Sequence, residues 1–173
     1  MLCFRCKCLI TINHIGTTTN IFSYFDHFHP FFPVLESLMS PDEYYESCPF
    51  LFWIVIAVAS RRYSEDMTVL SGLAISVPKL LWERVSDHPL PYNVVQALLI
   101  FCMWPFPGTH MWSDASATYS SIALHAAFHM GLHRPDYAGE YTRNPRSSKP
   151  VHLSSRDPLE RRKTWAGVNI VTQ

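Results

Sequence analysis

The ten residues FLFWIVIAVA, Phe50 to Ala59, form an unbroken apolar run. No side of a helix built from them could face water without cost, so the run must be buried all round. It is half the roughly 20 residues that a bilayer-spanning helix needs, which argues against a membrane partner. The segment therefore reads as the inner helix of a folded domain. A chain of 173 residues is long enough to build such a domain. Charged residues make up only 16% of it, against roughly 25% in typical soluble domains, so further elements should be buried on most sides.

The flanking segments carry helical signals. In SPDEYYESC, Ser40 is placed to cap a helix, Pro41 suits the first helical position and Glu43 completes a capping box. Pro49 ends that helix and the apolar run follows. Leu70, Leu73, Val77, Leu80 and Leu81 recur at helical intervals, with Pro78 producing either one kinked helix or two shorter ones. Another helix should begin near Pro91 and stop at Trp104, before Pro105. The next should begin near Ser113 or Asp114, either of which is a good N-cap. It has no Asp, Glu, Lys or Arg from Ala115 to Leu132 and is expected to be buried. Gly131, followed by Leu132 and then Pro135, marks its end. A last helix opens at Asp157-Pro158 with Glu160 as its capping-box partner. Glu160, Arg161, Arg162 and Lys163 would form its solvated first turns. No segment alternates like a strand. The expected fold class is all-α, an irregular helical array.

Within SIALHAAFHMGLHRPD, histidines fall at 125, 129 and 133. His125 and His129 have the spacing of two metal ligands on one helix face, which makes a metal-dependent hydrolase the alternative reading. Such an enzyme needs a glutamate directly after the first histidine, where this chain has Ala126, and it needs a third ligand. His133 cannot easily supply one, because eight helical residues span about 12 Å. With Gly131 ending the helix, His125 and His129 become a buried helical pair, candidates for lining an effector pocket, and His133 leaves the helix. No glycine-rich phosphate loop and no nucleophile elbow is present, so no catalytic residue is assigned.

Residues 1–20 lack helical periodicity and read as an unordered or wrongly appended leader. Cys3, Cys6 and Cys8 are weak candidates for metal ligation, because no second ligand pair lies at a familiar zinc distance. Positive and negative residues number 14 each, so a chain gripping nucleic acid by itself is not expected. The stretch from His133 to Lys163 nevertheless holds eight Lys/Arg against four Asp/Glu. The chain stops within an apolar helical pattern. It is therefore expected to be truncated at its C-terminus, leaving Val168 and Ile170 without partners.

Read together, YFDHFHPFFPVLE (24–36), SPDEYYESCPFLFWIVIAVASRRY (40–63), VQALLIFCMWPFP (95–107), HMGLHRPD (129–136) and RRKTWAGVNIVTQ (161–173) resemble the middle homology region of fungal zinc binuclear cluster transcription factors. The branch they resemble includes the leucine-biosynthesis regulator and the secreted-protease activator. The residues carrying the most specific motifs are Trp104, Pro105, Gly131, Leu132, His133, Arg134, Arg162 and Trp165. The resemblance implies that residues 21–173 are a partial fungal-specific transcription factor domain. Such a domain is regulatory, nuclear and not an enzyme. Zinc and DNA contacts would belong to an N-terminal cysteine cluster that these residues do not contain. The full-length protein would be a possible homodimer. Transcription machinery or a small-molecule effector would be its other partners.

Overall fold

A computed structural model describes residues 14–35, 40–62, 68–86, 89–108, 114–137 and 158–173. Its α-helices are α1 (His14–His27), α2 (Pro41–Ser47), α3 (Pro49–Ala59), α4 (Thr68–Val85), α5 (Tyr92–Met103), α6 (Ser116–His129) and α7 (Pro158–Val171). Single 3-10 turns follow α1, α3 and α6. No strand occurs among the described residues, and the all-α expectation holds. No helix there is long and apolar enough to cross a membrane.

The apolar run organises the fold. Every residue of α3 from Phe50 to Ala59 is buried, and the helix is covered by α1, α2, α4 and α5. Full burial of one such side chain contributes about 1.5–3 kcal/mol, so this helix alone anchors a large share of the core. Helix α5 is the second hub and carries α6 and α7 on its far side. Its residues Val94 to Phe101 are all buried, including the polar Gln96. Gln96 satisfies its amide by donating to the Val34 carbonyl at 2.6 Å.

Local chemistry sets the helix ends. The Ser40 hydroxyl accepts from the Glu43 N–H while the Glu43 carboxylate accepts from the Ser40 N–H, which is the expected capping box. These hydrogen bonds hold the Glu43 carboxyl below the ordinary carboxylate range. Cys48 both closes α2, through its N–H to Tyr44 O, and opens α3 ahead of Pro49. Pro78 sits inside a single helix α4, settling the choice in favour of one element.

Four expectations need correction. Helix α1 begins at His14, so the last residues of the expected leader are helical. Asn20 and Ile21 are buried there, and packing overrides the weak propensity of the threonine run before them. Residues 1–13, with Cys3, Cys6 and Cys8, lie outside the described part, as does Asp157. Helix α6 starts at Ser116 with Ala115 at the N-cap position, so Asp114 is not the capping residue. Asp114 instead accepts from the Ser116 N–H at 2.9 Å and hydroxyl at 2.6 Å, just outside the helix. Helix α6 is also not buried on all sides. Ser121, His125, Phe128 and His129 are exposed, because α5 and α7 cover one face only. Lastly, Val168 is fully buried, while Ile170 is exposed.

Candidate functional site

The end of α6 places the most specific motif of the chain. Gly131 adopts φ 70°, in the left-handed region open to a residue without Cβ. Its N–H donates to Phe128 O and the Leu132 N–H donates to Ala127 O, both at 2.9 Å. These are the paired bonds of a Schellman stop. Leu132 is driven fully into the core, which anchors the turn. His133 then projects back across the helix end, as the expected exit from the helix requires.

There it meets a second segment. The His133 ring lies 5.1 Å from Phe128 and 6.1 Å from Trp165 of α7, while Phe128 and Trp165 are 5.4 Å apart. The three rings make a closed triangle at the α6–α7 end. Phe128 is 41% exposed, and His133 and Trp165 are partly buried, so the triangle opens to solvent on one side. The same two segments carry two arginines with their own partners. Arg162 donates to Asp136 at 2.8 Å, and Arg134 lies over the Tyr137 ring at 4.8 Å. An ion pair this exposed contributes little stability, about 0–1 kcal/mol. Its consequence is positional: it ties the turn after α6 to the first turns of α7 and fixes the heading of one arginine.

Six of the eight motif residues, Gly131, Leu132, His133, Arg134, Arg162 and Trp165, thus meet in one place. Trp104 and Pro105 belong to a different cluster. The Trp104 ring packs edge-on against Tyr24, Phe28 and Phe32, at 6.4, 5.5 and 6.1 Å. Its carbonyl and that of Pro105 accept from the Arg61 guanidinium, which caps the end of α5. That cluster is structural packing around the α1–α5 junction. The burial of Tyr24 at its centre pushes the phenol well above its ordinary range.

Two expectations about site residues fail. His125 and His129 are exposed on the open face of α6 and are not a buried pair. No group of three or more His, Cys, Asp or Glu side chains able to hold a metal occurs among the described residues, so the third ligand of a hydrolase site is not found there. Glu160 and Arg161 are buried, not solvated; only Arg162 and Lys163 of that cluster face solvent. The first turns of α7 lie against α5. The Tyr92 hydroxyl donates to Glu160 O at 3.2 Å and shares a 2.6 Å hydrogen bond with Thr164 Oγ1.

Phe128, Asp136 and Tyr137 are members of the surface that sequence reasoning did not single out. Phe128 fell within the helix expected to be buried, although its place one turn before Gly131 put it beside the chain reversal. Asp136 lay inside the quoted motif HMGLHRPD, but nothing local linked it to Arg162, 26 residues on.

The described residues thus form an all-helical domain that presents one half-exposed aromatic surface. The description "Fungal specific transcription factor domain" matches residues 21–168, and the chain belongs to that family. It is 32% identical over 152 residues to the putative transcription factor SEF1 of Kluyveromyces lactis, covering 84% of this chain and 12% of that protein. It is 33% identical over 123 residues to the transcriptional regulatory protein SEF1 of Candida albicans, covering 70% of this chain and 13% of that protein. The regulatory protein LEU3 of Saccharomyces cerevisiae is 26% identical over 161 residues, covering 84% of this chain and 17% of that protein. The chain thus spans less than a fifth of the length of these relatives. No solved structure matches it.

Proposed function

We propose that this chain is a protein-docking regulatory domain that acts inside a nuclear transcription factor without touching DNA or performing catalysis. The observation that carries this reading is the convergence of GLHRPD and RRKTW on one half-exposed surface of three rings and two positioned arginines. Aromatic rings and arginine are the side chains that dominate protein–protein contact energies. The family membership and the names of the relatives support the transcriptional setting. In this reading, DNA is gripped by a zinc-binding cysteine cluster elsewhere in the full-length protein. A small-molecule effector and homodimer formation belong to that protein as a whole. His125 and His129 carry no assigned role in the ring surface.

A tethering assay tests the proposal. The chain is fused to an unrelated DNA-binding module placed upstream of a reporter gene. The reporter is expected to change at least twofold relative to the module alone. In parallel, the isolated chain is titrated against duplex DNA at low salt and should give no saturable binding. Saturable binding that weakens steeply with salt would instead identify a phosphate-gripping surface and overturn the proposal.

A further inference from the structure

We draw no further inference here: the strongest candidate, the half-exposed ring cluster of Phe128, His133 and Trp165 with Arg134 and Arg162 beside it at the α6–α7 end, belongs to the site already described, and nothing in the structure shows what covers it.

Discussion

Replacing Gly167 with alanine tests how tightly α7 is seated. A Cβ at this position would lie 2.8 Å from Val34 Cγ1, 3.1 Å from Phe32 Cζ and 3.3 Å from Leu99 Cδ1. The first distance is shorter than real Cβ contacts, so something must move. Val34 is badly placed to yield. It is buried, its branched side chain has few rotamers, and its carbonyl is held by Gln96. Two effects oppose each other. Alanine favours the helix over glycine by about 1 kcal/mol, whereas overpacking a core costs about 1–3 kcal/mol. Because the nearest atom is on a stiff residue, the upper part of the overpacking range applies, and the net loss should be about 1–2 kcal/mol. For a chain of this size, that lowers Tm by roughly 2–8 °C. Thermal unfolding followed by circular dichroism measures the shift. Adding Val34→Ala to Gly167→Ala should cost less than the sum of the two single changes, because the space left by Val34 relieves the clash. A Gly167→Ala protein as stable as the parent, or additive behaviour in the double variant, would refute the close α7 approach.

Two further outcomes follow from polar groups in or beside the core. Tyr92→Phe removes the hydroxyl that meets Thr164 and Glu160 O, leaving the buried Thr164 Oγ1 with one partner fewer. Urea unfolding should show a loss of about 1–2 kcal/mol, largely recovered when Thr164→Val is added. Cys102 has its thiol pKa pushed up from 9.0 to about 12, first by burial and then by the nearby Asp114 charge. A group raised in this way contributes its stability fully below about pH 9 and loses it as pH climbs toward 12. Cys102 is only partly buried, so iodoacetamide at pH 8, mapped by mass spectrometry, should label it more slowly in the folded chain than after urea is added; equal rates in the two states would contradict the raised thiol pKa. The same experiment should spare Cys48, whose thiol is also raised by burial.

How legible each feature was depended on how far apart its parts lie along the chain. The capping box of Ser40 and Glu43 and the stop at Gly131 are built within a few residues, and the structure shows them as their residue types imply. The burial of α3 was legible for a different reason: its composition leaves no polar side. Absence of charge in α6 was a poorer guide. Serine, threonine and histidine hydrate well without charge, so one face of this helix can stand in water. The reverse held for α7, where charged residue types suggested solvation but Glu160 and Arg161 are covered. Which turn of an amphipathic helix is covered depends on where its neighbours arrive. The 26-residue separation of Asp136 and Arg162 hid the ring surface in the same way. Its two halves were recognisable separately, but only the chain reversal after Gly131 brings them together.

Substitutions at two exposed apolar side chains distinguish the proposed action of this joined surface from an effect of the rest of the molecule. Phe128 lies in the ring triangle, whereas Ile75 lies on the outer face of α4; they are 41% and 65% exposed, so truncating either should spare most of the core. In the tethered reporter assay, at matched protein levels and melting temperatures, Phe128→Ala should abolish most of the effect and Ile75→Ala should preserve it. Equal outputs from the two variants, or loss confined to Ile75→Ala, would contradict the assignment of regulation to the α6–α7 surface.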